Sequence, residues 1–173
     1  NRALEQYQQK NVEAALPLME QSVSIAGRAL GAQHVTMADL QSDLGHLYRA
    51  AGNYRASRSA FEQALAIRRK SYGLDNADSI KAMNDLASLL GIMGDYAEAK
   101  SMFEQAVASS RKALGAEHPD TAASINNLGG VLEDMGDYAE AKRNYEQALA
   151  VARKVFGNEH VNTATAINNL SVI

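Results

Sequence analysis

The stretch Gly94-Asp95-Tyr96-Ala97-Glu98-Ala99-Lys100 returns as Gly136-Asp137-Tyr138-Ala139-Glu140-Ala141-Lys142, an offset of 42 residues. One further step back reaches Gly52-Asn53-Tyr54, and another a worn copy at Lys10-Asn11-Val12. The same register aligns Glu62-Gln63-Ala64-Leu65-Ala66 with Glu104-Gln105-Ala106-Val107-Ala108 and Glu146-Gln147-Ala148-Leu149-Ala150. It also aligns Gly31, Gly73, Gly115 and Gly157, and Leu44, Leu86, Leu128 and Leu170. Agreement at so many positions marks internal repetition, the signature of stacked structural units.

Each unit reads as two helices. Ile80, Met83, Leu86, Ala87 and Leu90 recur at the spacing of one helical face, predicting a helix from about Asp78 to Met93. Gly94 ends it, because glycine reaches the left-handed conformation without steric cost. Asp95 is placed to cap a second helix, with Glu98 three residues on as in a capping box. That helix runs through Ala99, Phe103, Ala106 and Val107 to about Leu114, and Arg111 and Lys112 suit the negative end of its dipole. Gly115 stops it, and Asp120 is placed to cap the next first helix. Small residues at Gly45, Ala87 and Gly129 and at Ala99 and Ala141 permit close helix approach, with Phe61, Phe103 and Tyr145 filling the space beside them. One hairpin cannot bury both faces, so neighbours must stack. The expected fold is all-α, with a partial repeat at 1–31, full repeats at 36–73, 78–115 and 120–157, and a first helix at 162–173.

The glycine–acidic–tyrosine turn, followed by alanine, aromatic and alanine at fixed places, resembles the tetratricopeptide repeat, whose usual unit has about 34 residues. The 42-residue unit, with Asn126-Asn127-Leu128, Tyr145-Glu146-Gln147-Ala148-Leu149-Ala150 and His118-Pro119-Asp120-Thr121-Ala122, is similar to the repeats of kinesin light chains and their bacterial relatives. The family's tryptophan is replaced by Gln41, Met83, Ile125 and Ile167. The resemblance implies a right-handed solenoid of antiparallel helix hairpins. It further implies that the first helices line a concave groove for a partner protein or peptide.

Mapped by register, that groove would present Asp39, Ser42, Asp43, His46 and Arg49 from one repeat. The next adds Lys81, Asn84, Asp85 and Ser88. The third adds Ala123, Asn126, Asn127, Gly130, Glu133 and Asp134, and the last Thr165, Asn168, Asn169 and Val172. Asparagine both donates and accepts, so a ladder of these residues suits an extended peptide backbone. Two cations, Arg49 and Lys81, stand against five anions, Asp39, Asp43, Asp85, Glu133 and Asp134. Family members that dock acidic C-termini clamp them with inward lysines and arginines. The set here points instead to neutral or basic segments.

The remaining composition narrows the function classes. The 173 residues are 46% hydrophobic and 21% charged, the balance of a soluble globular protein. The net charge of −3 gives no general pull toward nucleic acid. No apolar run reaches the roughly 20 residues of a membrane span. The absence of cysteine fits a reducing, cytoplasmic setting. The chain starts at Asn1 without methionine and stops at Ile173 inside a helical pattern, which reads as a fragment of a longer protein.

His34, His118 and His160 lie in equivalent loops, one per repeat, and are expected to cap or pack rather than to converge on a metal. His46 falls on a first helix with no sequence partner for catalysis. Gly129-Gly130 lacks the lysine and hydroxyl residue of a phosphate loop and reads as close helix packing and an open groove floor. Arg69-Lys70, Arg111-Lys112 and Arg153-Lys154 read as solvated helix ends. The expected function is therefore a non-enzymatic scaffold without cofactor or metal. A regulatory or sensor segment of a larger effector, working through intramolecular contacts, is the alternative. Self-association through terminal repeats is a further expectation.

Overall fold

The computed structural model describes residues 2–173, with side chains from residue 11 onward. The described residues form eight α-helices and no strand. They fall into two compact units, Asn1–Gly73 and Leu74–Ile173.

The first unit holds α1 (Arg2–Leu30), α2 (Val35–Ala50) and α3 (Tyr54–Tyr72). Helices α2 and α3 make a hairpin turned at Gly52. Its core joins Met37 and Ala38 to Ala64 and Ile67, and Val23 and Ala26 of α1 cover them. The worn turn at Lys10-Asn11-Val12 is absent, because α1 runs through it as one helix. Lysine stands there in the glycine position, so nothing supplies the left-handed residue that ends a helix cheaply.

The second unit holds two full hairpins and one further helix. These are α4 (Ala77–Met93) with α5 (Tyr96–Ala113), α6 (Pro119–Asp134) with α7 (Tyr138–Phe156), and α8 (Val161–Ser171). At the first turn Gly94 has φ 85° and ψ 5°. The Gly94 N–H donates to the Gly91 carbonyl and the Asp95 N–H to the Leu90 carbonyl, both in a Schellman arrangement. Gly52 and Gly136 close their hairpins with the same pair of bonds. The face foreseen for α4 is inside, with Ile80, Met83, Leu86, Ala87 and Leu90 all buried. Phe103 and Tyr145 are buried as well.

Hairpin spacing depends on the small residues. A Cβ on Gly45 would stand 2.7 Å from the Phe61 ring, and one on Gly129 2.7 Å from the Tyr145 ring. In the first unit the buried Ser57 hydroxyl also donates to the Gly45 carbonyl at 2.8 Å.

Helix starts differ from expectation in two places. The N-cap of α6 is His118, whose Nδ1 accepts from the Asp120 N–H at 3.2 Å, not Asp120 itself. Pro119 lacks an N–H and has the fixed φ of a first helical residue, so the helix begins one step earlier. His34 and His160 cap α2 and α8 in the same way, at 3.3 and 3.1 Å. Asp137 caps α7 through the Glu140 N–H at 3.3 Å, whereas Asp95 occupies the cap position of α5 without a side-chain capping bond.

Candidate functional site

In the first unit the inward residues are largely engaged with their own fold. Arg68, a buried residue of α3, reaches Asp39 at 2.8 Å and the Ser42 hydroxyl at 3.2 Å. Ser42 is itself buried, so it offers no groove surface. Asp39 stays exposed but is claimed by the Arg68 guanidinium. The His46 ring packs edge-on against Phe61, with centroids 4.9 Å apart. Asp43 is exposed and Arg49 half-buried. Arg68 was not foreseen, because its register partners Ser110 and Ala152 are small and neutral.

In the second unit one side is lined by α4, α6 and α8, with three adjoining hollows. The first, about 290 Å³, is bounded by Ser88 and Gly91 of α4, Gly130 and Asp134 of α6, and Asn169 of α8. Phe103 and Tyr145, from the second helices, also line it. The second, about 310 Å³, lies beside Lys81, Asn84 and Asp85, with Asp78 and Asp120 also lining it. The third, about 210 Å³, lies between α6 and α8 over α7, where Ala123, Asn126 and Thr165 meet Ala148 and Ala152. Asn127 lines all three and is half-buried. Asn168 lines none of the three, and its carbonyl accepts from Ser171 at 2.7 Å.

The asparagines divide into two kinds. Asn84 Nδ2 donates to the Ser124 hydroxyl at 2.9 Å, tying α4 to α6. Asn169 Nδ2 donates to Asn126 Oδ1 at 2.9 Å, tying α8 to α6. Three members of the expected ladder thus hold helices together. Asn127 makes no side-chain hydrogen bond among the described residues.

Charge on this side is mostly negative. Lys81 is the only lysine or arginine among the linings, against Asp78, Asp85, Asp120 and Asp134. Asp78 and Asp120 share one register position in the first turns of α4 and α6, and that register would have revealed them. The Tyr145 hydroxyl donates to Glu133 at 2.8 Å, and burial followed by that carboxylate pushes its phenol pKa up. Glu133 is therefore held by the fold.

The basic residues Lys112 and Lys154 at the helix ends are exposed, as expected, and make surface ion pairs. Lys112 pairs with Asp75 and Lys154 with Glu117, equivalent contacts 42 residues apart, and Arg111 reaches Gln147 at 3.2 Å. The Lys112 ammonium holds the Asp75 carboxyl below its ordinary range. No helix among the described residues is long and apolar enough to cross a membrane.

Comparison with known proteins agrees with this architecture. No curated protein sequence matches the chain significantly. Among solved structures, the nearly identical tetratricopeptide-like repeats of a Podosopora anserina protein described as a kinesin light chain superpose with a TM-score of 0.81 at 28% identity. That match covers 98% of this chain and 82% of the other. BtubC (BKLC) from P. vanneervenii gives 0.83 at 21% identity, over 98% and 68%. A Rap protein complexed with competence and sporulation factor gives 0.73 at 20%, over 98% and 45%. The tetratricopeptide repeat profile matches residues 2–70, 78–150 and 120–173. The chain belongs to the tetratricopeptide repeat family, with 42-residue helical hairpins of the kinesin-light-chain kind and the all-α solenoid fold that goes with them.

Proposed function

We propose that this protein is a non-enzymatic, cytoplasmic interaction module that holds an extended segment of a partner protein against the α4, α6 and α8 side of its second unit. The observation that carries this reading is the set of three adjoining hollows that share Asn127. A side-chain amide without an internal partner suits a peptide backbone, since it can satisfy one N–H and one C=O together. Gly91 and Gly130 support the same reading. A Cβ at Gly91 would meet open space, so a partner backbone can come close there. A Rap protein that shares this fold over part of its length is found complexed with competence and sporulation factor.

The preferred segment is neutral or basic. The linings carry four aspartates against Lys81, which repels an acidic C-terminus and attracts lysine or arginine. Nucleic acid is disfavoured by the same charge. Exposed ion pairs contribute only about 0–1 kcal/mol each, so backbone bonds and apolar contacts must supply most of the affinity. The test is titration of labelled neutral, basic and acidic C-terminal peptides at two salt concentrations, into the parent and into Asn127→Ala. Basic and neutral peptides are expected to bind tighter than acidic ones. Asn127→Ala should weaken them while its circular dichroism stays that of the parent. Preference for acidic C-termini, or full binding by the variant, overturns the reading.

A further inference from the structure

The hollow between α6 and α8 differs in chemistry from its equivalent one hairpin earlier. In the earlier hairpin Ile80 is buried, and the Ser110 and Ser124 hydroxyls stand 3.5 Å apart. Asn84 closes on Ser124 at 2.9 Å. Moving 42 residues on, Ile80 becomes Ala122, Ser110 becomes Ala152 and Ser124 becomes Ala166. The branched side chain and both hydroxyls are gone together, and Asn126 bonds to Asn169 of α8 instead. This hollow, about 210 Å³ against about 310 Å³ for its charged equivalent beside Lys81 and Asp85, is lined by the methyl groups of Ala122, Ala148, Ala152 and Ala166 and by Phe156, with Asn126, Asn127, Asn162 and Thr165 as its polar lining.

The alanine and phenylalanine part of that lining offers a hydrocarbon group a favourable transfer from solvent. The size of the hollow suits one side chain, since a dry apolar cavity of roughly 150 Å³ already admits benzene. The neighbouring surface sets a second condition. Asn127 and Asp134 lie on one stripe of α6, seven residues or about 10 Å apart at 1.5 Å per residue. About three residues of extended chain span the same distance. Asp134 is exposed and lines the adjoining hollow, which contains no lysine or arginine.

We infer that the α6–α8 hollow is an anchor pocket for one aliphatic side chain of leucine or methionine size. The occupant is an extended partner segment carrying a lysine or arginine about three residues beyond the point where it passes Asn127 at the rim of that hollow, placed to meet Asp134. This inference deepens the interaction reading and rests on it for the partner, but the pocket itself can be probed alone. The probes are N-acetyl-leucine methylamide and N-acetyl-glutamate methylamide, followed by alanine methyl NMR. The leucine compound is expected to shift the methyls of Ala122, Ala148, Ala152 and Ala166 saturably, and the glutamate compound is not. Ala122→Ile restores the residue type that the fold already accepts at Ile80, and it should weaken the leucine compound at least tenfold.

Peptides of the form leucine, two spacers, lysine are then compared with leucine-to-serine and lysine-to-glutamate versions. The parent should lose at least tenfold for the leucine change and several-fold for the lysine change. Ala122→Ile should show little dependence on the leucine. If peptides bind but the leucine compound leaves these methyls unmoved, or if the parent ignores the leucine-to-serine change, the pocket assignment is overturned while the interaction reading stands. If the leucine compound enters the pocket and no peptide binds, the pocket stands and the partner assignment falls.

Discussion

Adjacent glycines in α6 offer a paired experiment in which one methyl group should have opposite effects. At Gly130 an added Cβ would meet only the Tyr145 hydroxyl oxygen at 3.7 Å, an ordinary contact. At Gly129 it would stand 2.7 and 2.8 Å from Cε1 and Cδ1 of the same ring. That ring cannot swing aside easily, because it is buried and its hydroxyl is tied to Glu133 at 2.8 Å. Both changes gain the same helix propensity, about 0.8–1.0 kcal/mol for glycine to alanine. Only Gly129→Ala overpacks the hairpin, at a cost of about 1–3 kcal/mol. Gly130→Ala is therefore expected to stabilise by about 1 kcal/mol, and Gly129→Ala to fall about 1–3 kcal/mol below it.

For a chain of this length each kcal/mol moves the melting midpoint by roughly 2–4 °C. Thermal unfolding followed by circular dichroism should rank Gly130→Ala above the parent, and Gly129→Ala below Gly130→Ala by roughly 2–12 °C. Repeating the pair in a Tyr145→Leu background should shrink the gap, since the ring that causes it is gone. Equal shifts for the two alanines, or the reverse order, would refute the role given to the Gly129–Tyr145 contact. The same Gly130→Ala change puts a methyl on the hollow beside Asp134, so peptide affinity should fall while stability rises.

Phe103→Ala should destabilise by about 3–5 kcal/mol, because the ring is buried. Lys100→Ala, which removes only a half-buried side chain 4.0 Å from Glu104, should change the urea midpoint little. His118→Ala should cost about 0.5–2 kcal/mol through loss of the α6 cap, and His118→Asn should recover most of it in the same denaturation assay. The Tyr48 phenol is pushed up from 10.0 to about 12 by its hydrogen bond to Glu20, then by burial and by the Glu20 charge. A raised phenol pKa means the folded state keeps its proton after the unfolded chain has lost it. This stabilisation is complete below pH 10 and fades as pH rises through about 12. Tyr48→Phe should remove that part of the alkaline loss of stability, read as the melting midpoint against pH.

The hairpins were legible because their determinants are local. Gly52, Gly94 and Gly136 each need a positive φ, and each follows an apolar face of helical period. The missing turn at Lys10-Asn11-Val12 shows the converse, since a register match without the glycine carries no conformational instruction. Histidine at the caps was half legible. Its place in the loop was evident, but Nδ1 as acceptor for the residue two ahead depends on backbone geometry. The groove was least legible. First-helix periodicity selects which side faces outward, yet Arg68, Tyr145 and Ala152 enter from second helices. Whether an asparagine is spent within the fold depends on contacts 40 or more residues away, as with Asn84 to Ser124 and Asn169 to Asn126. Asn127 could not be told from Asn126 by sequence.

The most direct measurement is backbone and side-chain NMR of the intact chain during titration with a peptide that carries leucine, two spacers and lysine. Shifts are expected to gather on Ser88, Asn127, Gly130, Asp134 and Asn169, with the Asn127 amide protons moving downfield as they find a peptide carbonyl. Shifts concentrated instead on Lys100, Glu104, Arg111 and Asn144, which line the hollow between α5 and α7, would contradict the account.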